Sequence, residues 1–127
     1  MFINVSNHPS SNWNEEQIAA AEAYGTITDL PFPQIEPAET EEELNALVEK
    51  THQKVKELIA ADEAGIPGAV VMLQGEYVFT YRLVCALKAD DIRVVASSSK
   101  RYVTEVPQPD GSSIKTSKYL FAGFREY

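Results

Sequence analysis

Three features of this 127-residue chain predict an α/β fold: a doubly wound, mostly parallel sheet finished by a C-terminal antiparallel hairpin. First, short apolar runs that suit buried strands are separated by helical segments. Second, Ala69–Arg101 holds an apolar run, a polar Gln74–Gly75–Glu76 corner, a helical segment and a second apolar run. That order is the parallel crossover unit. Third, the chain after Arg101 alternates polar and apolar residues around an Asp110–Gly111 turn signal.

Taken in order, Phe2–Val5 is the first strand, and Ser6–Ser11 is a polar loop containing Pro9. Asn12 with Glu15 has the spacing of a capping box, so a helix is expected over about 13–24. Thr26–Leu30 reads as the second strand, and the prolines of Pro31–Pro37 make the next stretch a stiff loop. Thr40 and Glu43 form another capping box, and Leu44, Leu47, Val48, Val55, Leu58 and Ile59 share one face of the second helix. His52 falls on the solvated side of that helix. The third strand is Ala69–Leu73, the third helix runs over about 77–88, and the fourth strand is Ile92–Ala96. Ser97–Arg101 then reads as a turn at the strand end. The third helix has little polar surface, so either a second copy of the chain or the C-terminal segment covers it. Arg82 within it needs a partner or an interface. One domain over 1–127 is expected, with 1–101 as the parallel core and 102–127 as the hairpin extension.

Charge and composition exclude several function classes. The net charge is −8, which opposes broad binding to duplex nucleic acid or to an anionic membrane. Residues 1–67 carry 13 acids and 3 bases, whereas 88–127 carry 7 bases and 5 acids, so an anionic ligand is drawn to the C-terminal part. Cys85 is the only cysteine, which excludes a disulfide framework. The first residues lack the pattern of a signal peptide, and no apolar run reaches membrane-spanning length, so a cytoplasmic protein is expected. No glycine-rich dinucleotide or P-loop motif occurs, and no zinc ligand set, so neither a cofactor nor a metal is expected.

In an open parallel sheet, ligands bind at the carboxyl ends of the strands. The polar residues delivered there are Ser6, Asn7, His8, Ser10 and Ser11, then Gln74, Gly75 and Glu76, then Ser97, Ser98, Ser99, Lys100 and Arg101. Hydroxyls and backbone N–H groups suit phosphate oxygens, and Lys100 and Arg101 supply charge. His8 suits acid–base work. Gly75 permits close backbone approach, and Glu76 suits a ribose hydroxyl or, alternatively, the start of the third helix. The inventory points to a nucleotide or oligonucleotide.

The segments SNHPSS, LQGE and SSSKR, set on this layout, resemble CRISPR-associated Rossmann-fold (CARF) proteins over roughly residues 1–101. The resemblance implies a Rossmann-like homodimer that binds a cyclic oligoadenylate across its two-fold axis. It further implies a ring nuclease that opens this messenger without a metal, with His8, Lys100 and Arg101 as catalytic residues and the remaining polar residues as ligand contacts. A sensor or sponge that binds without cutting would use the same residues. A protein-interaction module working through the apolar third helix is the reading from a different class.

Overall fold

The computed structural model describes residues Met1–Tyr127. Its elements in order are β1 (Phe2–Val5), α1 (Glu15–Glu22), β2 (Ile27–Asp29), α2 (Glu41–Ala60), β3 (Val70–Leu73), α3 (Tyr77–Ala89), β4 (Arg93–Pro107) and β5 (Ser113–Glu126). Short 3₁₀ turns at Ser10–Asn12 and Ile66–Gly68 precede α1 and β3. The five strands form one mixed sheet in the order β2-β1-β3-β4-β5. The first four are parallel, and β5 runs antiparallel to β4.

Alternation along the strands builds two cores. Ile3, Val5, Val71, Leu73 and Val94 point to one face and pack with Val55 and Ile59 of α2 and with Phe79, Leu83 and Leu87 of α3. Phe2, Val70, Met72 and Val95 point to the other face. That face is covered thinly, because Ala21 is the only buried residue of α1. Aromatic rings fill the gap: Phe2 lies 4.9 Å from Phe124, 5.9 Å from Tyr24 and 6.2 Å from Trp13, centroid to centroid.

Several local expectations meet their structural reason here. Thr40 caps α2, its hydroxyl accepting from the Glu43 N–H at 3.1 Å. Arg82 is paired, its guanidinium donating to the Glu41 carboxylate at 2.6 Å and to the Asn45 side-chain Oδ1 at 2.9 Å. Asp110 and Gly111 do form the hairpin turn, with Gly111 at φ +87° and the Asp110 carboxylate accepting from the Ser112 N–H and hydroxyl. Those two bonds hold the Asp110 carboxyl below its usual pKa.

Four expectations need correction. The cap of α1 is Asn14, whose side chain accepts from the Gln17 N–H at 2.9 Å, and not Asn12. Two overlapping capping boxes compete there, and Pro9 starts a 3₁₀ turn that uses up the first. His52 is not simply solvated, because its Nε2 lies 2.6 Å from the Asp90 carboxylate and ties α2 to the end of α3. Ser97–Arg101 is not a turn: β4 runs straight through it to Pro107, since β5 offers a backbone partner at every step. The expected boundary at 101/102 therefore falls inside a strand. Finally, the C-terminal segment does not cover α3, whose Tyr77, Val78, Tyr81 and Cys85 stay exposed. No helix is long and apolar enough to cross a membrane.

Gly75 leads from β3 into α3, where the Phe32 ring lies across it and edge-on to Phe79, centroids 5.0 Å apart. A Cβ on Gly75 would sit 2.2 Å from that ring. Gly75→Ala is expected to lower stability by about 1–3 kcal/mol through this overpacking, read as a shifted denaturant midpoint at unchanged slope.

Candidate functional site

The site begins with a polar residue inside a buried strand. Asn4 is only 2% exposed, so its amide must be satisfied from within. Its side-chain N–H₂ donates to the Asp29 carboxylate at 2.8 Å and to the His8 carbonyl at 2.9 Å, and its oxygen accepts from the Ser6 hydroxyl at 2.7 Å. Asp29 in turn accepts from the Ser10 hydroxyl at 2.9 Å and from the Ser10 N–H. The Trp13 indole also donates to the His8 carbonyl, at 3.1 Å. The backbone of His8 is thus fixed from several sides, while its imidazole has no hydrogen bond within the chain.

The opposite wall comes from β4 and β5. Beyond Met72 and Val95 the β3–β4 pairing ends. The Gln74 side chain extends it, donating to the Ser97 carbonyl at 3.2 Å and accepting from the Ser97 N–H at 2.9 Å. One residue later the β4–β5 register slips between Ser98 and Ser99, leaving Ala122 as the extra residue beside Gly123, which has φ +147°. Such a bulge bends the pair and sharpens its twist. Here it marks where the hairpin leaves the body of the sheet.

Between these walls lies a cavity of about 450 Å³ over the carboxyl ends of β1 and β3 and the middle of β4. Ser6, His8, Asn12, Trp13, Asn14 and Gln17 line one side, Met72, Gln74, Ser97 and Ser99 the floor, and Tyr119, Leu120 and Phe121 the hairpin side. None of these residues is Lys, Arg, Asp or Glu. The cavity therefore offers hydroxyls, amides, an imidazole and aromatic surface, which suits a planar heterocycle and a sugar better than a bare anion. A second cavity, of about 480 Å³ and lined by Lys56, Asp62, Asp90 and Asp91 among others, opens among the loops that enter β3 and β4. It lies at the other end of the strands.

The structure brings together Ser6, His8, Gln74, Ser97 and Ser99 and separates the rest of the expected set. Ser98 points to the opposite face of β4 from Ser97 and Ser99. Lys100 shares that opposite face, its ammonium 5.2 Å from the Tyr102 ring centroid. Arg101 is on the cavity face beside its strand partner Tyr119, with its guanidinium donating to the Ser117 hydroxyl at 2.9 Å. Ser10 is spent on Asp29, and Ser10 and Ser11 line a separate groove along α1. Asn7 and Glu76 border a shallow pocket with Phe32 and Gln34. The Glu76 carboxylate caps α3, accepting from the Val78 N–H at 3.0 Å and the Phe79 N–H at 2.7 Å. The close approach at Gly75 is taken by Phe32.

Asn4, Asp29, Asn12, Trp13, Asn14, Gln17, Tyr119 and Phe121 were not expected at the site. Asn4 carried a signal, being a polar residue within the otherwise apolar Phe2–Val5 strand. The hairpin residues carried none, because their position depends on the continuity of β4. No group of three or more His, Cys, Asp or Glu side chains is arranged to hold a metal ion.

Asp29→Ala removes the acceptor shared by Asn4 and Ser10. It is expected to cost about 1–3 kcal/mol in a denaturant titration, with faster amide exchange at Ser10. Tyr127 provides a pH test of the same edge. Its hydroxyl donates to the carbonyl of Leu73, the last residue of β3, at 2.8 Å, and burial raises its pKa above the ordinary tyrosine value. The raised value means that the folded state favours the protonated phenol. That contribution is full below the pKa of an unfolded tyrosine and lost as pH climbs through the folded value. Tyr127→Phe should accordingly flatten the stability profile above about pH 10, measured by thermal melts across alkaline buffers.

No curated protein and no solved structure matches this chain. A family model does match, over residues 1–125. The chain therefore belongs to the Uncharacterized protein MJ1673 family.

Proposed function

We propose that the chain is a doubly wound, Rossmann-like cytoplasmic protein that binds a cyclic oligoadenylate at the facing edges of a homodimer and opens the ring without a metal. The observation that carries this reading is the cavity at the strand ends, with the His8 imidazole free of internal hydrogen bonds at its margin. The resemblance to CARF proteins supplies the ligand class, and helices on both sheet faces fit the Rossmann-like layout.

In this reading Trp13, Tyr119 and Phe121 provide surface for a base, while Asn12, Gln17, Ser97 and Ser99 provide hydrogen bonds to its edge and to ribose. A ribose 2′-oxygen attacks the adjacent phosphorus in line, and the P–O5′ bond breaks. His8 takes the 2′-hydroxyl proton, and a proton returns to the departing O5′. The products are linear, with a 2′,3′-cyclic phosphate at one end and a 5′-hydroxyl at the other. Arg101, on the cavity face, offsets charge at phosphorus, and Lys100 contributes from across the pair. Ser98 lies outside the pocket, and Glu76 and Gly75 serve the α3 corner.

A sensor or sponge that binds without cutting is the second reading. It is favoured by the absence of any charged side chain in the lining of the single chain. An interaction module is the third, favoured by the exposed Tyr77 and Tyr81 of α3.

Radiolabelled cyclic tetra- and hexa-adenylate, incubated with the protein in a chelator and resolved on a gel, separates these readings. Linear products ending in a cyclic phosphate are expected, with His8→Ala slower by about 10²–10⁴-fold. Bound but intact rings would leave the sensor, and rings neither bound nor cut would retire both nucleotide readings.

A further inference from the structure

The chain exposes 8241 Å², whereas a compact monomer of 14.1 kDa exposes about 6,700 Å². The excess of roughly 1,500 Å² is larger than what one partner contributes to a standard protein–protein interface, about 800 Å². The hairpin is a visible source of it. Beyond the bulge, Lys100–Pro107 of β4 pairs only with Ser113–Leu120 of β5, giving a two-stranded ribbon about 26 Å long. A lone two-stranded ribbon is at best marginally stable in water. Yet Tyr102, Val103, Val106, Ile114 and Tyr119 are all exposed on it.

We propose that the ribbon of one copy lies along α3 of a second copy, and the reverse, in a reciprocal two-fold exchange. Strand alternation places Tyr102, Val106 and Ile114 on the side of the sheet that carries α3. The exposed stripe of α3 is Tyr77, 90% exposed, Tyr81, 71% exposed, and Cys85. Ribbon face and helix stripe therefore belong to one continuous side of one molecule, as an isologous interface requires. Their lengths agree, because the 13 residues of α3 span about 20 Å. Their directions agree as well. The ribbon projects past the strand ends from which α3 starts, so facing edges bring each ribbon to the partner's Tyr77.

Charge selects a second copy as the occupant. Residues 100–120 carry four bases and two acids, a net of +2, within a chain of net −8, which leaves −10 on the remainder. Two bodies repel each other, and the basic ribbon is the part of either that the other attracts. The exchange also sets Lys100 and Arg101, at the ribbon's root, between the two edges. This inference shares the two-fold pairing with the proposed function and owes nothing to its ligand.

Sedimentation equilibrium of the ligand-free protein tests it. The wild type is expected at twice 14.1 kDa. Tyr102→Ser/Ile114→Ser on the ribbon and Tyr77→Ser/Tyr81→Ser on α3 are each expected to halve that mass while the helical circular dichroism signal of the body is kept. All four positions are exposed within one chain, so the α/β body does not depend on them. A monomeric wild type, or a dimer that survives either double substitution, overturns the exchange. Failure to bind cyclic oligoadenylate would leave it standing.

Discussion

The buried amide of Asn4 is the constraint on which the rest of the edge depends. A polar side chain inside a strand that is otherwise Phe, Ile and Val is costly unless its bonds are made, and here two go to the loop that follows and one to the Asp29 carboxylate. Desolvation therefore enforces the path of Ser6–Ser10. Asp29 closes the network from the neighbouring strand, and the His8 carbonyl becomes a shared acceptor. The consequence is a rigid backbone beneath a side chain left without a partner. A site that must hold a reacting group steadily while keeping that group available needs this division of labour.

The second constraint is the continuity of β4. A parallel sheet ordinarily ends its strands in loops at the ligand edge, but this one sends β4 onward with β5 as its companion. Gln74 makes the passage possible by substituting side-chain hydrogen bonds for the missing ladder to β3. The bulge at Ala122 and Gly123 then turns the pair outward. One strand thus serves as core of the sheet, wall of the cavity and arm beyond the edge. The charge asymmetry follows the same division, with acids on the body and bases on the arm.

Much of the layout was legible in the sequence because it rests on local patterns. The runs at Phe2–Val5 and Val70–Leu73, the cap at Thr40 and the turn at Asp110–Gly111 each carry their own signal, and the structure places them as read. The misreadings arose where two local rules compete or a distant partner decides. Asn12 and Asn14 both satisfy a capping rule, and Pro9 settled the choice. Ser97–Arg101 has the composition of a turn but becomes strand because Tyr119–Phe124 lies beside it. His52 looked like a surface residue until Asp90, far along the chain, supplied its carboxylate. At the candidate site, Ser6, His8 and Gln74 were legible from their position at strand ends, whereas Ser97 and Ser99 line the cavity from within β4 and not from the strand end expected there. Asn12, Trp13 and Tyr119 were not, since side-chain direction within a loop or past a bulge has no period to read.

Trp13 is the only tryptophan in the chain and lines the cavity, so its fluorescence reports directly on occupancy. Titration of the protein with cyclic tetra- or hexa-adenylate should quench that emission saturably, reaching its plateau at one ring for every two chains. A flat trace at ligand concentrations well above the protein's would contradict a nucleotide site at this edge.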